Sequence, residues 1–195
     1  MLKAVVLFAH PLFEKSLVHH QLSVALKEVD HISWIDLYEL YPDFDINIRK
    51  EQKRLEAFDV IIFQHPIYWY SCPPLLKQYI DLVFEYDWAY GKKGNALKDK
   101  YFFQIISTGG TKEGYCSSGK DGFTIRELLQ PFHQTAMTCK MIPLPPFVVH
   151  GARKINEIEL QSISQQLQKV LLQLLENNFK SKDFNQCQYL NEIAE

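Results

Sequence analysis

Residues 59–91 read DVIIFQHPIYWYSCPPLLKQYIDLVFEYDWAYG, and the order of residue types in this stretch decides the fold. Val60, Ile61, Ile62 and Phe63 form an unbroken apolar run, which predicts a parallel strand covered on both faces. His65 and Pro66 end it. Ile67, Tyr68, Trp69 and Tyr70 follow, placing three consecutive aromatic side chains at the carboxyl end of the strand, where open α/β sheets bind ligands. Ser71, Pro73 and Pro74 predict a helix entry, because proline gives up nothing in a first turn. Leu75, Leu76, Tyr79, Ile80, Val83 and Phe84 recur at helical spacing as that helix's buried face. The plainer alternative for the aromatics is a loop that covers the core edge.

The segments on either side repeat the alternation. Ala4 to Ala9 form a second apolar run that also closes in His-Pro, at His10 and Pro11, so the two strands present neighbouring loops at one sheet edge. After a short connection, Ser16 is a good N-cap for a helix with Leu17, Val18, Leu22, Ala25, Leu26 and Val29 inside. The amides of Ser16, Leu17, Val18 and His19, with the helix dipole behind them, suit a phosphate, although most such helices bind nothing. Ile32 to Leu37 predict a second strand, and Ile48 to Phe58 a charged, exposed helix. Asp43, Asp45 and Asn47 open like a calcium loop, but Ile48 replaces its glycine and Arg54 its final glutamate, so no metal is assigned.

Beyond the central stretch, the lysines of residues 90–100 predict a solvated loop, with a phosphate contact as the sharper alternative. Tyr101 to Ser107 are a buried strand, and Thr108, Gly109 and Gly110 after it let backbone approach a flat ligand or simply turn tightly. Residues 112–122 predict a mobile lid carrying Tyr115 and Asp121. Phe123 to Thr138 are helical with a break near Pro131, Phe147 to His150 supply the last strand, and Asn156 with Glu159 opens a long helix. The strand-helix alternation predicts a doubly wound five-stranded parallel sheet with helices on both faces; in the order 2-1-3-4-5, strands one and three would be neighbours at the switch point. One domain covers residues 1–179, and the polar tail, from about Asn177, is partly ordered at best.

A chain of 195 residues supports one full core, and a net charge of -2 gives no basic field, which argues against nucleic acid as a main partner. Cys72, Cys116, Cys139 and Cys187 never form a C-x-x-C pair and read as free thiols of a reducing compartment. The N-terminal run is the first strand and not a signal peptide. No run approaches the roughly 20 apolar residues of a membrane span, so any membrane association is peripheral.

Three loops thus meet at one rim: a helix N-terminus, an aromatic wall and a bare backbone. Together they describe a flavin site. The motifs A-H-P, F-Q-H-P-I-Y-W-Y-S-C-P-P-L-L-K, W-A-Y-G and S-T-G-G also resemble the flavodoxin-like NAD(P)H:quinone reductases. D-L-Y-x-x-Y-P-D-F-x-I-x-I, from Asp36 to Ile48, is similar to the ancillary quinone reductases of glutathione-gated potassium-efflux systems. This resemblance reaches to about Gly151. It implies a flavin held by His10, Ser16, Leu17, Val18, His19, Ile67, Tyr68, Trp69, Tyr70, Ser107, Thr108, Gly109 and Gly110, with FMN favoured over FAD. It implies a homodimer in which Trp69 and Tyr70 line the nicotinamide and quinone pocket, with Tyr90 near the partner's site. Tyr115 matches a lid tyrosine of the larger reductases, whereas Asp121 stands where they carry histidine, which changes how charge on the reduced cofactor would be handled.

The expected activity is two-electron hydride transfer from NADPH or NADH through the flavin to a quinone, both substrates sharing one pocket with ping-pong kinetics, with Trp69, Tyr70, Tyr115 and Asp121 as the catalytic candidates. The family also implies a cytoplasmic protein, either free or peripheral at the inner membrane. Two rivals are a regulatory subunit of a potassium-efflux transporter and a one-electron carrier. The carrier lacks support, since neither a strongly acidic surface nor a T-x-T-G-x-T loop is present.

Overall fold

A computed structural model describes residues 1–176 and 187–193. Strands β1 (Ala4–Phe8), β2 (Ile32–Asp36), β3 (Val60–Pro66) and β4 (Tyr101–Ser107) pair in parallel in the order β2-β1-β3-β4. The expected fifth position holds two short strands, β5 (Ile142–Pro143) and β6 (Phe147–Val149), both parallel to β4. Leu144, Pro145 and Pro146 divide them, because prolines cannot donate to a ladder. The order predicted from sequence therefore holds, with the last strand split.

Helices α1 (Leu17–Lys27) and α7 (Glu157–Leu175) cover one face, and α2 (Leu37–Leu40), α3 (Ile48–Glu56), α4 (Pro74–Val83), α5 (Ile125–Leu128) and α6 (Gln130–Thr138) pack on the other. The apolar runs are unbroken because successive residues feed opposite cores. Val5, Leu7, Ile61 and Phe63 face the α4 side, whereas Ala4, Val6, Val60 and Ile62 face α1 and α7. No helix among the described residues is long and apolar enough to cross a membrane.

Two expectations need correction. Leu37, expected to end the second strand, instead opens a helix: Asp36 accepts the amides of Tyr38 and Glu39 and starts α2. Helix α3 is not exposed throughout. Its Glu51 is fully buried and accepts hydrogen bonds from the hydroxyls of Tyr41 (2.7 Å) and Tyr79 (3.0 Å) and from Arg54 Nε (3.0 Å), which together compensate the buried charge. Part of the predicted tail, residues 187–193, packs against the sheet. Leu190 N–H donates to the Pro146 carbonyl (2.9 Å), while the Asn191 side-chain amide accepts from Val148 N–H (2.9 Å) and donates to its carbonyl (3.1 Å). Residues 177–186 and 194–195 of the predicted tail lie outside the described residues.

Candidate functional site

The loop after β1 is built around the α1 N-terminus. Phe13–Lys15 make a short 3-10 turn that consumes the Ser16 amide, and Ser16 Oγ caps helix α1 by accepting the His19 amide at 3.2 Å. Two of the four predicted phosphate donors are therefore spent. The amides of Leu17 and Val18 have no acceptor among the described residues and lie at a cleft of about 500 Å³. His10 also lines this cleft. Its Nδ1 accepts the Leu12 amide at 3.1 Å, which leaves Nε2–H as the donor, and burial lowers its pKa, keeping the ring neutral at pH 7.

After β3 the chain makes a tight turn, Tyr68 and Ser71 exchanging both backbone hydrogen bonds at 3.0 Å. The two residues between them, Trp69 and Tyr70, have φ values of 47° and 61°. Bulky residues pay strain in that region, and such strain concentrates at functional sites. Tyr68 and Ile67 line the cleft, whereas Trp69 and Tyr70 sit on the outer tip of the turn, Trp69 94% exposed.

The loop after β4 brings Ser107 and Gly109 to the same cleft. A hydrogen-bonded series through the core fixes Ser107: Trp34 Nε1 donates to Gln64 Oε1 (2.8 Å), Gln64 Nε2 to His19 Nδ1 (3.3 Å), and His19 Nε2 to Ser107 Oγ (2.9 Å). That tautomer follows from the network and frees the serine proton to serve an acceptor in the cleft. Burial holds the His19 pKa well below its ordinary value, so the series stays neutral. The His19 amide caps the helix, and its fully buried ring orients Ser107. The Thr108 hydroxyl also points inward, to the Gly110 carbonyl at 2.9 Å.

The predicted lid is folded and tied down. Asp121 N–H donates to the Gly114 carbonyl at 3.1 Å, and Asp121 Oδ1 accepts from the Tyr70 hydroxyl at 3.3 Å, so lid and aromatic turn touch. Tyr115 is buried against Gly110, where a Cβ would come 3.1 Å from its ring. Burial and the nearby Asp121 raise the Tyr115 pKa, which keeps the phenol protonated. Three candidate residues thus converge here, Tyr70 from the turn and Tyr115 and Asp121 from the lid, while Trp69 stays exposed at the tip of the turn. The 90–100 lysines do not line the cleft; Lys100 instead donates to the carbonyls of Glu56 and Phe58.

Sequence reading missed Leu12, Lys15, Ala152 and Arg153, all of which line the cleft. Arg153 Nε would lie 3.4 Å from a Cβ at Gly109, and neither Arg153 nor Lys15 has an acidic partner among the described residues. Two uncommitted cations, two free helix amides, a neutral imidazole donor and a flat backbone segment are a donor set that fits an anionic, planar ligand. A cation directly after the last strand was the signal available in the sequence.

A family model described as the flavodoxin-like fold matches residues 2–174. The chain belongs to the flavodoxin-like family. Among its relatives, the glutathione-regulated potassium-efflux system ancillary protein KefG of Serratia proteamaculans is 40% identical over 160 residues, spanning 82% of this chain and 87% of that protein. Among solved members, general stress protein 14 of Treponema denticola in complex with FMN is 36% identical, with a TM-score of 0.80 over 90% of this chain and 98% of its own. An NADPH-quinone reductase of P. pentosaceus is 29% identical, with a TM-score of 0.77 over 89% and 97% of the two chains. The chain is thus similar to these proteins in both sequence and fold.

Proposed function

We propose that this chain is an FMN-dependent NAD(P)H:quinone oxidoreductase. The carrying observation is that one cleft joins the free amides of Leu17 and Val18 to Lys15, Arg153, Tyr68 and Gly109. Solved relatives named as an FMN complex and as an NADPH-quinone reductase support the same reading. The Leu17 and Val18 amides with Lys15 would hold the phosphate. Arg153 adds a second cation beside Gly109, whose missing side chain allows a ring to lie against the backbone. His10 Nε2–H and the Ser107 hydroxyl are donors for ring or ribityl oxygens, with Tyr68 as the wall.

When bound, the flavin supplies the two-electron hydride chemistry. The protein's own part is to bind, orient and exclude competing groups. Trp69 and Tyr70 stand outside the cleft on their strained turn, available to stack first on a nicotinamide and then on a quinone. One pocket used in turn gives ping-pong kinetics. Asp121 fixes the Tyr70 hydroxyl, and the protonated Tyr115 is a neutral donor beside Gly110. A homodimer completes the pocket in this reading, with Tyr90 near the partner's site.

The test is to purify the protein, record its visible spectrum, release and identify the bound cofactor, and add NADPH with and without a quinone. FMN absorbance and quinone-dependent NADPH oxidation are expected; a colourless protein that neither takes up added FMN nor oxidises NADPH would defeat the proposal. The KefG resemblance favours a second reading, a regulatory subunit on a potassium-efflux transporter. Co-purification with such a transporter, and regulation surviving a Trp69→Ala change that abolishes turnover, would select it.

A further inference from the structure

We propose that residues 187–193 form a clasp in which Tyr189 is a positioning residue, holding Tyr115 over Gly110 through the His150 ring. The segment lies beyond the family match, which ends at residue 174, yet Tyr189 and Leu190 are 3% and 0% exposed. Four residues grip it. Arg126 donates to the Cys187 carbonyl (3.2 Å), and Gln166 Nε2 donates to the Asn191 carbonyl (2.7 Å). Pro146 and Val148 bind Leu190 and Asn191 as described above.

Those bonds would seat the segment without Tyr189. The Tyr189 ring instead packs on His150, with centroids 5.8 Å apart, and His150 packs on Tyr115 at 5.9 Å. His150 Nδ1 donates to Thr108 Oγ1 (3.3 Å), tying the middle ring to the loop that carries Gly109 and Gly110. From the lid side, Lys112 Nζ sits 5.9 Å from the Tyr189 ring centre. The lid thus rests on a ladder of three rings whose lowest rung belongs to the C-terminal segment. Removing that rung opens a void under His150 and releases the only contact that joins Lys112 to the segment among the described interactions.

The inference does not depend on what the cleft binds, so it is tested on the full chain without added flavin. Amide hydrogen exchange is followed in residues 112–122 and, as a control, in β1 and β3 for Tyr189→Ala, Tyr189→Leu and Tyr189→Phe. Tyr189→Ala should speed lid exchange by about tenfold while the β1 and β3 amides change less than about twofold, as local opening requires. Tyr189→Phe keeps the ring and should behave like the parent. Tyr189→Leu keeps apolar bulk without the ring and should loosen the lid as alanine does, which also serves if the alanine variant does not fold. Parent-like lid exchange in the leucine variant, or equal acceleration in lid and sheet, would overturn the proposal.

Discussion

Trp69 combines 94% exposure with a φ of 47°, a pairing that fold stability gives no reason to keep. A Trp69→Gly change relieves the strain but frees the unfolded chain, so stability should shift by no more than about 1 kcal/mol in urea unfolding. The same variant should raise the KM for NADPH by about two- to tenfold, the value of one stacking contact. Arg153→Ala is the complementary case. It should weaken FMN binding by about tenfold or more, and by less at high salt, in a fluorescence titration at two ionic strengths. The aromatic run was legible because it sits where a strand ends. The Trp34–Gln64–His19–Ser107 series was not, because it joins residues 30, 45 and 88 positions apart through the folded core.

At the scale of elements, the buried Glu51 shows where local pattern misleads. A helix reading IRKEQKRLE has few apolar residues, yet Glu51, Gln52 and Leu55 form its inner face. Glu51→Leu should cost about 3–5 kcal/mol, because two tyrosine hydroxyls and Arg54 lose their acceptor, whereas Glu51→Gln should cost less than half of that. Urea midpoints of the two variants check this, and equal losses would show that the charge, which both variants lack, and not the retained acceptor matters there. Long apolar runs made β1, β3 and β4 readable, and Ser16 and Asn156 marked their helices correctly. Helix α2 and strand β5 were missed because they have four and two residues, too few to show a period.

For the molecule as a whole, burial lowers the pKa of His10, His19, His65 and His150, the last to about 4. In the unfolded chain each returns towards 6.5, so unfolding takes up protons below that pH. Stability should be complete above about pH 6.5 and fall as the pH drops towards 4. Urea midpoints at pH 7.5, 6 and 5 test this; a flat profile across that range would contradict the neutral, buried histidines. The fold class was legible from alternation alone, because each strand and helix is specified locally. The return of residues 187–193 was not, since a polar segment carries no sign of where it docks.

The split fifth strand has one more consequence. Pro143, Pro145 and Pro146 have no amide hydrogen, the Val148 amide and carbonyl are both taken by Asn191, and the Pro146 carbonyl is taken by Leu190. This rim of the sheet therefore offers a passing chain almost nothing to zip onto, and the protein can be crowded without seeding fibrils from that side.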